Sequence, residues 1–78
     1  MIDSIQKAFS EGFDREDVHY LWLSDCAEAW AIGRWCSLVT TLTPTAKIKK
    51  SRGSSYKVNG ILFICHYHKN GEMEVKAA

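Results

Sequence analysis

Seventy-eight residues, 46% of them apolar, with three each of Trp, Tyr and Phe and a net charge of +1, describe one small folded domain and exclude a disordered or low-complexity chain. The longest apolar stretches, Ile61–Cys65 and Ala29–Ile32, are too short to cross a bilayer, and the first dozen residues carry Asp3 and Glu11 where a secretory leader would be basic and then apolar, so no membrane association is expected. Cys26, Cys36 and Cys65 form no CxxC and leave one thiol over in any disulfide scheme, which points to a reducing compartment and a cytoplasmic location.

Ile2, Ile5, Phe9 and Phe13 recur at helical spacing and predict a first helix over about residues 2–11, with Gly12 as its stop. Asp14 offers a cap for a following helix, with Asp17 three positions on and Phe13 and Val18 placed as a hydrophobic staple. Val18, Leu21, Trp22, Ala29, Ile32 and Gly33 continue a helical stripe. Ser24 or Asp25 followed by Glu28 is a second capping signature inside it, so the sequence predicts either one long helix or two with a break at residue 24, ending near Leu38.

The β-branched run Thr40–Thr45, which holds the only proline, ends helix. Residues 43–55 read as a mobile connection, with Ala46–Lys50 a candidate edge strand and Ser51–Ser55 of loop composition. Asn59-Gly60 and Asn70-Gly71 each predict a two-residue hairpin turn, giving strands Ser55–Val58, Ile61–Lys69 and Glu72–Lys76. That register sets Val58 against Ile61, Tyr56 against Phe63, His68 against Met73 and His66 against Val75. The more aliphatic face, with Leu62, Ile64, Met73 and Val75, is then the one expected beneath the helices, leaving Tyr56, Phe63 and Tyr67 to solvent or a partner.

The expected fold is α+β, with two or three N-terminal helices packed on a three-stranded antiparallel β-meander and a candidate fourth edge strand. It forms a single domain over 1–78, with a helical part over about 2–40, a connection over about 41–55 and the meander over about 55–77.

Catalytic and metal chemistry find little footing. His66 and His68 share a strand face at usable ligand spacing, yet no paired ligand motif accompanies them, and Cys65 points to the opposite face from both. There is no nucleophile elbow, phosphate loop or acidic pair with an evident role, so the expectation is a non-enzymatic protein with no cofactor and no metal. A helix-turn-helix over Asp14–Leu42 matches poorly, because Trp30, Trp35 and Cys36 fall where a recognition helix presents polar side chains.

Charge is segregated along the chain. Residues 1–28 hold seven acids and two bases, residues 29–71 hold seven bases and no acid, and the tail contributes −1. Five bases, Lys47, Lys49, Lys50, Arg52 and Lys57, cluster ahead of the meander with Tyr56 and Tyr67 close by, a pattern suited to phosphates and stacked bases. The first functional expectation is therefore a small regulator that binds DNA or RNA through these seven residues. The second is a protein-binding adaptor or inhibitor acting through an acidic helical face of Asp14, Glu16, Asp17, Asp25 and Glu28, or through an exposed aromatic strip, with homodimerisation as part of that expectation.

Overall fold

The computed structural model describes residues 3–78. Two helices, α1 (Ser4–Phe13) and α2 (Asp25–Val39), lie on one face of an antiparallel sheet whose strands β1 (Ile48–Arg52), β2 (Ser55–Val58), β3 (Ile61–Tyr67) and β4 (Met73–Ala77) run side by side in chain order. The class is α+β as expected, with two helices and with the fourth strand present.

Asp3 caps α1, its carboxylate accepting the Ile5 N–H at 2.9 Å; Ile2, the first residue of the predicted stripe, lies outside the described residues. Ala8 and Phe9 are completely buried. Gly12 is not the stop. It sits inside α1, and α1 closes instead in a Schellman motif: the Arg15 N–H donates to the Gly12 carbonyl (3.0 Å), the Glu16 N–H donates to the Glu11 carbonyl (2.9 Å), and Arg15 takes the left-handed φ of 59°. That closure makes Asp14 the C-cap of α1 and turns the chain away from helix, so Asp14 does not cap a following helix. Residues 14–24 cross to α2 without regular structure, which also removes the helix-turn-helix arrangement.

Helix α2 begins at the second capping signature, where the Ser24 hydroxyl accepts the Ala27 N–H at 3.1 Å. Its buried stripe is Glu28, Ala29, Ile32, Gly33 and Cys36. The two helices cross at two glycines. A Cβ added to Gly12 would lie 1.9 Å from the Trp30 carbonyl oxygen, and one added to Gly33 would lie 2.0 Å from the Phe9 carbonyl oxygen, so each backbone rests directly on the other. Leu21, Trp22 and Leu23, read as helical, lie in the linking segment and are exposed. Trp30 and Trp35 are partly buried against the core, and Trp35 meets Phe63 edge-on at 5.5 Å.

The segment 43–55 is ordered by specific bonds, contrary to its reading as a mobile connection. Ala46 and Ile48 are buried, and the Gln6 amide brackets them: its Nε2 donates to the Ala46 carbonyl (2.9 Å) and its Oε1 accepts the Ile48 N–H (3.1 Å). Asn59 then locks Lys47, accepting its N–H on Oδ1 and donating its own N–H to the Lys47 carbonyl, both at 2.9 Å.

Asn59-Gly60 forms the expected tight turn, with φ of 49° and 84°, and Val58 faces Ile61 and Tyr56 faces Phe63 as predicted. Asn70-Gly71 does not. There only Gly71 takes positive φ (88°), the Asn70 side chain accepts the Glu72 N–H (3.0 Å), and the His68 N–H donates to the Glu72 carbonyl (2.8 Å), making a longer loop. Tyr67 therefore faces Met73 and His66 faces Glu74, a register one residue away from the predicted one, and every β4 side chain changes face. Tyr56, Val58, Phe63 and Cys65 are buried beneath the helices with Tyr67, Met73 and Val75 beside them. The expectation of solvent-facing Tyr56, Phe63 and Tyr67 is thus reversed. Lys49, Lys57, Leu62, Ile64, His66, Glu74 and Lys76 occupy the uncovered face.

Candidate nucleic-acid interface

The five clustered bases divide according to the pleat of β1 and β2. Lys50 is paired in register with Tyr56 on the helix side, and its ammonium reaches Asp25 at 2.7 Å. Lys49 lies directly across the ladder from Lys57 on the uncovered face. Lys47, held by Asn59, stands beside them, and together they border a shallow depression of about 350 Å³ that also takes in Lys50, Ser51, Asn59 and Gly60. No acid lines it, and among the described residues Lys47, Lys49 and Lys57 have no ion-pair partner. Arg52 is exposed just past the register shift between Lys50 and Arg52.

The two tyrosines are elsewhere. Tyr56 is completely buried, and its hydroxyl donates to Glu28 Oε1 at 2.8 Å; the Tyr67 hydroxyl donates to Glu28 Oε2 at 2.5 Å. Tyr56 cannot stack on a base from this position, and its assignment as a nucleic-acid contact is corrected. Tyr67 is partly buried and turned toward α2, on the side of the sheet opposite Lys49 and Lys57. The uncovered face instead carries the ring of His66, 4.7 Å from that of His68.

Glu28, expected on an acidic surface, is instead 3% exposed and accepts a third bond, from the Ser54 hydroxyl at 2.8 Å. No cation reaches it among the described residues; three hydroxyls solvate it. It joins α2 to the β1–β2 turn, to β2 and to β3 at one point. The remaining acids do not form one helical face either: Asp14, Glu16 and Asp17 are exposed in the irregular 14–24 segment, and Asp25 is half-buried in the first turn of α2, paired with Lys50.

His66 projects on the uncovered face while Cys65 is buried on the other, so the two form no nucleophile pair. His68 Nε2 and Glu74 Oε1 are 2.9 Å apart, and the histidine holds the Glu74 carboxyl below its ordinary range. Among the described residues no group of three or more His, Cys, Asp or Glu is arranged to hold a metal, and no helix is long and apolar enough to cross a membrane.

The interior makes the fold sensitive to alkali. Burial pushes the Cys65 thiol up to about 12 and the Cys36 thiol up to about 11. The bond to Glu11 pushes Tyr20 up to about 12, and burial with the Glu28 bonds raises Tyr56 and Tyr67 well above the ordinary phenol value. All are acids whose folded pKa is raised, so their stabilisation is complete below the unfolded values of about 8.5 for Cys and about 10 for Tyr. It is lost as pH rises toward the folded values. The denaturant midpoint is expected to fall steadily above about pH 9, with tyrosinate absorbance from Tyr56 and Tyr67 emerging only together with unfolding.

Comparison of the chain with protein-family models, with curated proteins and with solved structures finds no match.

Proposed function

We propose that this chain is a small non-enzymatic regulator that binds nucleic acid by its phosphates, on the uncovered side of β1 and β2. The single observation that supports this is the placement of Lys49 opposite Lys57 with Lys47 beside them and no carboxylate between. Like charges directly across a ladder destabilise a sheet. Two lysines kept in that position are relieved when an anion binds between them, and phosphates along a strand supply anions at suitable intervals.

Contact through lysines alone makes binding sensitive to salt and indifferent to sequence. Titration of labelled single- and double-stranded oligonucleotides at several salt concentrations is the test. Three phosphate contacts give a slope of log affinity against log salt of about −3 on duplex. Replacing Lys47, Lys49 and Lys57 together by alanine is expected to remove that salt-dependent binding while leaving the circular dichroism spectrum unchanged, since all three are exposed. Absence of wild-type binding at low salt overturns the proposal.

A protein-binding adaptor or inhibitor is the second reading, and one observation favours it: consecutive Leu21, Trp22 and Leu23 are 82%, 54% and 60% exposed. On that reading the docking element is this apolar run, flanked by Asp14, Glu16 and Asp17, and substitution of Trp22 by Ser abolishes the interaction without touching the lysines.

A further inference from the structure

The two edges of the sheet are treated differently. At β1 the Ile48 N–H is taken by Gln6, a register shift interrupts the strand after Lys50, and Lys47, Lys49, Lys50 and Arg52 crowd the rim. These are devices that keep an edge from pairing. β4 pairs with β3 without a bulge, includes no proline, and carries one charge of each sign, Glu74 and Lys76, in place of a run of bases.

Two bonds determine which backbone groups of β4 are free. The Ala78 N–H donates to the Leu62 carbonyl at 2.9 Å, and the His68 N–H donates to the Glu72 carbonyl at 2.8 Å. With Ile64 opposite Lys76 and His66 opposite Glu74, the alternation of an antiparallel ladder turns the N–H and C=O groups of Met73, Val75 and Ala77 outward. We propose that this edge pairs antiparallel with the same edge of a second copy of the chain, about a two-fold axis at Val75, forming a continuous eight-stranded sheet.

Charge selects both the occupant and the register. With Val75 opposite Val75 of the copy, Glu74 faces Lys76 of the copy on the uncovered side, Met73 faces Ala77, and the three outward-directed residues of each strand all find partners. The next register in one direction sets Glu74 against Glu74, and the next in the other sets Lys76 against Lys76, so only the Val75-centred arrangement is complementary. On the helix side the copy covers Leu38 and Val39, which are 58% and 59% exposed; Leu38 lines, with Trp35, Met73 and Val75, a depression of about 380 Å³ between α2 and β4. The contact is isologous, as a two-fold requires. It lies at the opposite edge from the lysine cluster, so it stands or falls independently of oligonucleotide binding.

Sedimentation equilibrium of the full chain over a concentration series tests it, with circular dichroism to verify folding. The wild type is expected to dimerise. Lys76→Glu and Glu74→Lys each place like charges at both symmetric pairs and are expected to weaken the dimer roughly tenfold or more. The double variant exchanges the charges and is expected to restore it, which a foreign partner strand would not do. Ala77→Pro removes an outward N–H that β3 does not use, and is expected to give a folded monomer. A wild type that stays monomeric up to about 1 mM overturns the proposal and leaves the edge to an extended segment of another protein. So does a dimer whose affinity neither the single charge variants nor folded Ala77→Pro alters.

Discussion

Alanine at Gly12 or at Gly33 is expected to be the most damaging small substitution in this chain. The added methyl would meet a carbonyl oxygen at 1.9 Å in the first case and at 2.0 Å in the second. Both obstacles are main-chain atoms of the opposite helix, so neither can swing aside as a flexible side chain would. The helices must separate, and separation opens gaps around Ala8, Phe9, Ala29 and Ile32, all completely buried between them and the sheet. A loss of at least about 3 kcal/mol follows for either variant, set against a total of roughly 4–12 kcal/mol for a domain this size. Urea denaturation measures it directly as a lowered midpoint. Gly53→Ala is the control: its Cβ meets nothing within 4 Å, and only its φ of 55° resists, at roughly 1 kcal/mol. Equal effects at all three glycines would contradict close helix contact as the cause.

Removal of the Glu28 side chain is expected to follow closely. Glu28→Ala strands the hydroxyls of Ser54, Tyr56 and Tyr67 without their acceptor, fully buried at Tyr56 and partly buried at the other two, and leaves a cavity among them. An unsatisfied buried hydroxyl costs roughly 1–3 kcal/mol, and relaxation of the half-exposed Ser54 and Tyr67 moderates the sum to about 3–5 kcal/mol. Glu28→Gln keeps the volume but offers one acceptor oxygen and turns an amide N–H₂ toward hydroxyl donors, for about 1–3 kcal/mol. Denaturation of the double variant Glu28→Ala with Tyr67→Phe supplies the decisive comparison. Because it removes a donor together with its acceptor, its loss should be smaller than the sum of the single losses, and strict additivity would show that the carboxylate is not the shared partner.

The sequence was most legible where one short-range rule acts alone. Asn59-Gly60 can satisfy two positive φ values at once, so its turn and the Tyr56–Phe63 register followed directly. Of the two cap candidates Ser24 and Asp25, Ser24 starts α2, and the candidate edge strand Ala46–Lys50 is present two residues further on, as Ile48–Arg52. Where two local rules compete, the local pattern misleads. Asn70 uses its side chain to accept the Glu72 N–H, and that single bond lengthens the loop and reverses the faces of Met73, Glu74, Val75 and Lys76. Gly12 looked like a helix stop because glycine weakens a helix; its actual role depends on Trp30, which no local pattern associates with it.

The candidate interface was legible in part for the same reason. Composition located the basic segment, but which lysines share a face depends on the pleat, and the pleat pairs Lys49 with Lys57 on the uncovered face while the Lys50 ammonium reaches Asp25. Nothing in the sequence links Tyr56 and Tyr67 to Glu28, for the 28 and 39 positions that separate them from it exceed the reach of any periodicity. The signal available was that Glu28 falls on the same helical stripe as Ala29, Ile32 and Cys36, where an exposed acid does not belong.

The order of the strands also bears on how the chain reaches its structure. Because β1, β2, β3 and β4 neighbour one another in the sequence in which they are synthesised, each ladder closes only a short loop, and no strand waits for a distant partner. The helix pair is likewise joined by a short segment, residues 14–24, so most contacts within each half are local. Such topologies cross low entropic barriers and fold quickly. The bonds from Ser54, Tyr56 and Tyr67 to Glu28 are different, for they span the halves and form only once helices and sheet have met. They contribute little to the speed of assembly, and govern instead how long the assembled protein stays closed.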